Sequence, residues 1–262
     1  MAETACPADF IALSEKLADA AGAVIRGYFR TAVGVDDKSD DSPVTIADRE
    51  AEAAMRRLIA ETFPEHGIFG EEFGSERLDA DYVWVLDPID GTKSFITGKP
   101  IFGTLIGLLH RDVPILGIID QPIAGERWLG AKGRGTTLNG KKISTRACPS
   151  LSQATICTTA PELLRGPGDL DSWHRLRDAA KLPMYGGDCY NYALVASGFA
   201  DLVVESGLKP YDYCALIPVI EEAGGLVTDW QGQRLGGMKS DGRVLAAGDS
   251  RAHAEAIRIL AG

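Results

Sequence analysis

Long apolar runs are missing from this 262-residue chain. The best candidates are broken by glycine, proline or charge within about ten residues, well short of a bilayer-spanning helix. The start, Met1-Ala-Glu-Thr-Ala-Cys6, carries an acid where a secretory signal carries bases. A cytoplasmic protein is expected, or an organelle-targeted form whose transit peptide has been removed. Cysteine pairs at CxxC spacing are also absent. Cys6, Cys148, Cys157, Cys189 and Cys214 are dispersed and odd in number, which excludes a disulfide framework or zinc site and suits reduced thiols. Positive charge is in deficit: 27 Lys and Arg against 37 Asp and Glu give a net charge of −10. That balance opposes nucleic-acid binding, which needs a cationic surface. Neither internal repeats nor low-complexity segments occur.

What is present is ordinary for a soluble globular protein, with 45% hydrophobic and 24% charged residues. Phe10, Leu13, Leu17, Ala21, Val24 and Tyr28 recur at helical steps and predict an amphipathic helix. The polar run Asp36 to Ser42 predicts a mobile loop. A second helix follows Val44-Thr45, carries Ala51, Met55, Leu58 and Ile59 on one face, and stops near Pro64. Tyr82–Leu86 reads as a buried strand with Asp87 at its end. Thr104–Leu109, Ile115–Ile119 and Arg127–Ala131 read as an antiparallel meander, and Asn139-Gly140 as a type I′ hairpin turn. In the second half, helices are predicted at 170–180, 190–197, 213–223 and 253–260, with Pro218 delaying or kinking the third. Short strands are predicted at 202–205, 226–229 and 244–246. Alternating strands and helices imply a layered α/β fold. Residues 1–262 read as a single domain with soft subdomains at 1–149 and 150–262.

The chemistry concentrates in Asp87-Pro-Ile-Asp-Gly-Thr-Lys-Ser-Phe95. Asp87 and Asp90 leave a strand end together, where like charges repel unless a cation lies between them. Oxygen donors without nearby His or Cys favour a hard ion, Mg²⁺ over Zn²⁺. Backbone N–H groups at Gly91 and Thr92 could hold a phosphate. An acidic protein can bind such a group where a metal reverses the local field. The plain alternative is a turn with solvated acids. Thr45 and Asp48 likewise read as a helix cap and its N3 acid, and Gly70-Glu71-Glu72 as a solvated acidic loop.

In combination the segments say more. PVTIAD at 43–48, GEE at 70–72, DPIDGTKSF at 87–95 and YDYCALIPVIEEAGG at 211–225 resemble, in order and spacing, the inositol monophosphatase family. The resemblance covers nearly the whole chain. It implies an αβαβα sandwich, usually homodimeric, acting on a small-molecule phosphate ester. Two or three Mg²⁺ ions would be held by Glu71, Asp87, Asp90, Asp212 and the carbonyl of Ile89. Gly91 and Thr92 would bind phosphate. Asp48 and Thr92, with Glu71, would orient and deprotonate a metal-bound water for in-line attack on phosphorus, a second metal stabilising the leaving alkoxide. Tyr211, where the family often has Trp, and Lys93, where it commonly has Thr or a small residue, depart from the pattern without removing a ligand.

For the leaving group, Asp188, Asn191 and Glu205 are the candidate contacts. Two acids favour a cationic alcohol, since a buried carboxylate needs a partner. GGDCYNYALVASGFADLVVES and GLKPYD look like the histidinol-phosphatase branch of the family, whose substrate carries an ammonium beside an imidazole. Each residue has a structural alternative: Asp188 as a helix N-cap, Asn191 as a backbone-bonding helix residue, Tyr190 and Tyr211 as core or rim aromatics. Inositol monophosphate, fructose bisphosphate and 3′-phosphoadenosine nucleotides are rival substrates, the last two requiring a cationic pocket. A haloacid-dehalogenase mechanism is disfavoured by the DxxDGT spacing and mid-chain position. A non-catalytic metal- and phosphate-binding regulator predicts a lost catalytic group, and none is lost.

Overall fold

A computed structural model describes residues 5–32, 35–37 and 43–260. Its architecture follows from strands whose side chains alternate between two covered faces. In the strand Tyr82–Asp90, Val83 and Val85 enter one apolar core while Trp84 and Leu86 enter another. A strand buried on both sides reads as an unbroken apolar run.

This strand lies within an eight-stranded sheet. The order across it is Lys141–Ile143, Gly135–Leu138, Glu126–Ala131, Val113–Gln121, Gly103–His110, Tyr82–Asp90, Gly67–Gly70 and Gly74–Glu76. All neighbours are antiparallel except Gly67–Gly70, which runs parallel to Tyr82–Asp90. The expected meander is therefore present. Asn139 and Gly140, at φ 49° and 76°, close the hairpin between the first two strands in that order, as a type I′ turn requires.

The helices Ala8–Tyr28 and Ile46–Thr62 cover one face of this sheet, filling a core around Leu17, Ile25, Met55, Trp84 and Ile106. The helices Asp188–Ala196 and Leu216–Glu221 cover the other and also pack on a second sheet. That five-stranded sheet is ordered Leu182–Tyr185, Thr155–Thr158, Leu202–Glu205, Val244–Ala247 and Leu226–Thr228. Its outer face is closed by Asp169–Ala179 and Ser250–Leu260 through Trp173, Leu176, Ala252 and Ala256. The layers thus run α, β, α, β, α. Close approach of the middle helical layer depends on glycine: a Cβ at Gly117 would overlap the Ala215 carbonyl.

Four differences from the sequence reading have physical causes. The expected helix over 213–223 is two short ones, Pro210–Tyr213 and Leu216–Glu221, with Pro218 in the first turn of the second. There its missing N–H has no intrahelical acceptor to lose. Asp36 and Asp37, expected in a mobile loop, belong to the strand Val35–Asp37, paired antiparallel with Pro43–Thr45; residues 38–42 lie outside the described residues. The strands Gly67–Gly70, Gly74–Glu76, Thr155–Thr158 and Leu182–Tyr185 were not expected. Asp188 opens its helix at the first position, and the N-cap is Gly187. The five cysteines are buried and unpaired. Among the described residues no helix is long and apolar enough to cross a membrane.

Candidate active site

The site begins with an irregularity. Opposite Gly103–Leu105, the register shifts between Asp87, which faces Leu105, and Asp90, which faces Gly103. One extra residue is thereby accommodated, and a bulge of this kind re-aims side chains. Asp87 and Asp90, three apart, would otherwise point to opposite faces. Thr104 Oγ1 donates to the Pro88 carbonyl at 2.8 Å and ties the bulge to the neighbouring strand. Ile89 N donates to Asp87 Oδ1 at 3.1 Å, and Thr92 Oγ1 donates to the Ile89 carbonyl at 3.1 Å.

The second half of the chain delivers Asp212. It sits in the short helix starting at Pro210, and its Oδ2 accepts from Lys209 N at 2.7 Å. One carboxylate oxygen each from Asp87, Asp90 and Asp212 falls within 4.8 Å of the others. Glu71 lies against this group: it shares a hydrogen bond with Asp87, and its charge acts on Asp48, Asp87 and Asp212. Burial, then the charges of Glu71, Asp90 and Asp212, push the Asp87 carboxyl well above the usual range. Burial, then Asp188 and Asp212, do the same to Asp90. Asp212 is pushed up to about 7, chiefly by burial. Crowded acids whose mutual repulsion favours protonation are a set that a cation would relieve. Donors that are all oxygen suit a hard ion such as Mg²⁺. Asp48 stands beside them, with Oδ2 accepting from Thr45 N (2.8 Å) and Thr45 Oγ1 (2.6 Å). Its Oδ1 is buried without a partner, and burial raises its pKa. The capping reading of this motif holds for one oxygen, and the other is left over.

Adjoining the carboxylates is a cleft whose lining includes Asp90, Asp188, Cys189, Tyr192, Glu205 and Asp212. Asp188 Oδ2 accepts from Ser94 Oγ at 2.7 Å, and a Cβ at Gly91 would come within 2.6 Å of that same oxygen. Gly91 is at φ 87°, a region open to glycine at little cost. Burial raises the Asp188 pKa, opposed by Ser94, Lys93 and Lys99. Glu205 is held by Thr159 N (3.1 Å), Thr159 Oγ1 (2.5 Å) and Tyr192 OH (2.9 Å), and burial raises its pKa too. Asn191 is placed differently: its amide nitrogen donates to the Gly186 carbonyl at 2.8 Å, within its own turn and outside the cleft lining. Tyr190 bonds Glu126 at 2.6 Å and Tyr211 stacks on Phe69 at 5.9 Å, both half-buried at the rim of the core.

Sequence reasoning missed Ser94, Thr159 and Tyr192. Ser94 lies inside the DPIDGTKSF string, and Tyr192 stands one helical turn after Asp188, a spacing that shares a face. Thr159 carried no signal. The two halves are joined at the chemistry itself, since Cys189 N donates to Asp90 Oδ2 at 2.6 Å.

The chain is similar to known proteins. The family model described as the inositol monophosphatase family matches residues 7–261. The bifunctional phosphatase IMPL2 of Arabidopsis thaliana, named as chloroplastic, is 57% identical over 259 residues, covering 96% of this chain and 75% of its own. A histidinol-phosphatase of Chlorobaculum parvum is 40% identical over 223 residues, covering 85% and 86%. The solved structure of an inositol monophosphatase from Zymomonas mobilis superposes with a TM-score of 0.89 at 48% identity, covering 97% and 98%. With a family match over nearly its full length and a superposition at a TM-score of 0.89, the chain belongs to the inositol monophosphatase family, and it is a phosphatase of that family.

Proposed function

We propose that the protein hydrolyses histidinol phosphate to histidinol and phosphate with the help of Mg²⁺. The observation that carries this reading is the pair of acids, Asp188 and Glu205, lining the cleft beside the Asp87, Asp90 and Asp212 cluster. A phosphate held at the cluster leaves its alcohol facing that cleft. A cationic alcohol offsets the cost of a buried carboxylate, Glu205, and a half-buried one, Asp188, which a neutral polyol does less well. The similarity to the Chlorobaculum protein named histidinol-phosphatase supports the same choice.

In this reading Glu71, Asp87, Asp90, Asp212 and the Ile89 carbonyl would hold the metal. Bound Mg²⁺ would activate water near neutral pH and offset charge on the phosphate and the leaving oxygen. Gly91 and Thr92 take the phosphate oxygens. Asp48 Oδ1, buried and unpartnered, is the acceptor for a proton from the attacking water, and Thr45 holds its other oxygen. Glu205, fixed by Thr159 and Tyr192, and Asp188, fixed by Ser94, receive the cationic alcohol. Asn191 acts on the substrate only through the Gly186-Gly187 turn it braces. The unpaired thiols fit a reducing compartment, the cytosol or an organelle.

The likeness to the Zymomonas protein favours a second reading, inositol 1-phosphate as substrate. Phosphate release with Mg²⁺ from histidinol phosphate, inositol 1-phosphate, fructose 1,6-bisphosphate and 3′-phosphoadenosine 5′-phosphate separates the two. A preference for histidinol phosphate of about a hundredfold, or about 2.7 kcal/mol in the transition state, is expected. A preference for inositol 1-phosphate would leave the carboxylate cluster standing and overturn the acidic-cleft reading.

A further inference from the structure

Glu52 has no place in the chemistry above, yet its side chain is wholly enclosed. It lies on the helix Ile46–Thr62 one turn after Asp48, so the two project from one face. A carboxylate in such a place is costly unless paired and hydrogen-bonded. Here its demands are met by the turn that carries Glu71 and by Arg56, one turn further along its own helix. Oε2 accepts from Glu72 N at 2.8 Å, and Oε1 accepts from Phe73 N at 3.2 Å and from Arg56 Nε at 2.7 Å. Arg56, with its side chain only 11% exposed, reaches on to the Gly74 carbonyl and to Glu76 Oε1 at 2.8 Å. The fit is close enough that a Cβ at Gly70 would overlap Glu52 Oε1.

The consequence falls on Glu71. Its own N–H donates to the Leu86 carbonyl at 3.1 Å, anchoring one side of the residue to the strand Tyr82–Asp90, which carries Asp87. The next two N–H groups are anchored to Glu52. Held on both sides, the Glu71 backbone keeps the root of its side chain beside Asp87 and Asp212, although the repulsion among these acids favours displacement. We infer that Glu52, braced by Arg56, is a positioning residue: it holds Glu71 in the carboxylate cluster against electrostatic repulsion and so keeps the site ready for a divalent cation. The inference rests on the reading that Glu71 holds metal.

Glu52→Gln tests it with little change of volume, because one acceptor becomes an NH₂ facing a donor. Mg²⁺ binding is measured by calorimetry on the full chain without substrate. The apparent Kd is expected to rise about tenfold, with most of kcat recovered at saturating Mg²⁺. A lowered Tm with unchanged Mg²⁺ affinity would mean that Glu52 is merely structural and would overturn the inference. Glu71→Gln is the control. If it leaves Mg²⁺ affinity unchanged, the metal-holding role of Glu71 fails and the inference falls with it. If it weakens binding while Glu52→Gln does not, only the inference fails. Should Glu52→Gln not fold, amide exchange in the wild type and in Arg56→Lys decides. Slow exchange at Glu72 and Phe73, quickened by Arg56→Lys together with a severalfold weaker Mg²⁺ affinity, supports the inference. Fast exchange in the wild type, or no change in the variant, overturns it.

Discussion

Replacing Asp188 by Asn removes one charge from the leaving-group side of the cleft and little else. The amide keeps an oxygen for the Ser94 hydroxyl, now 2.7 Å from Asp188 Oδ2, so the contact with the Gly91 loop survives. Two opposite charges about 4 Å apart at an effective dielectric of about 20 attract by roughly 4 kcal/mol. Asp188 is partly open to solvent and already faces Lys93 and Lys99, so a smaller value applies. A hydrogen bond to a charged group contributes about 1.5–3 kcal/mol, and a loss of about 2 kcal/mol is a fall of roughly 30-fold in kcat/KM. That fall is expected for histidinol phosphate at saturating Mg²⁺. For inositol 1-phosphate, whose alcohol is a neutral polyol, a change within about threefold is expected. Initial rates with both esters on one preparation provide the ratio. Equal losses on both would show that Asp188 acts by shaping the Gly91 loop, and no loss on either would place the alcohol elsewhere. Either result refutes the charge reasoning.

Without metal, acid should stabilise the fold around neutrality. Asp212 is raised from 3.8 to about 7 by burial, and Asp87 and Asp90 are raised as well. The folded chain therefore binds more protons than the unfolded one between about pH 4 and 7, and the associated stability is lost as pH rises through about 7. In chelator, Tm should be higher near pH 5.5 than near pH 8, and the opposite order would contradict the burial of these acids. Asp90→Asn should raise the Tm of the chelated protein by about 2–4 °C, from relief of about 1 kcal/mol of repulsion. It should also abolish the Tm increase on adding Mg²⁺ and lower activity at least a hundredfold; a variant still stabilised by Mg²⁺ would remove Asp90 from the ligand set.

The sequence by itself determined the periodic elements and the short motifs. Phe10 through Tyr28 announce their helix because one apolar stripe meets one sheet, and Tyr82–Leu86 announce their strand because both of its faces are covered. Asn139-Gly140 announces a turn because few other pairs tolerate its backbone. DPIDGT is legible because bulge, acids and turn lie within one contiguous stretch. Only the tertiary structure decided the rest. Gly67–Gly70 is a strand because Tyr82–Asp90 pairs with it, not because four residues of Gly, Ile and Phe prefer to be one. Asp212 joins Asp87 and Asp90 only through packing of the second half on the first. The partners of Glu205 and Glu52 come from Thr159, Tyr192, Glu72 and Phe73, some of them distant in sequence. Asn191, a candidate contact from its place in the GGDCYNY stretch, has its amide nitrogen bonded to the Gly186 carbonyl. Local patterns encode local geometry, whereas enclosure of a carboxylate, and hence its charge and its use, depends on what the whole chain folds around it.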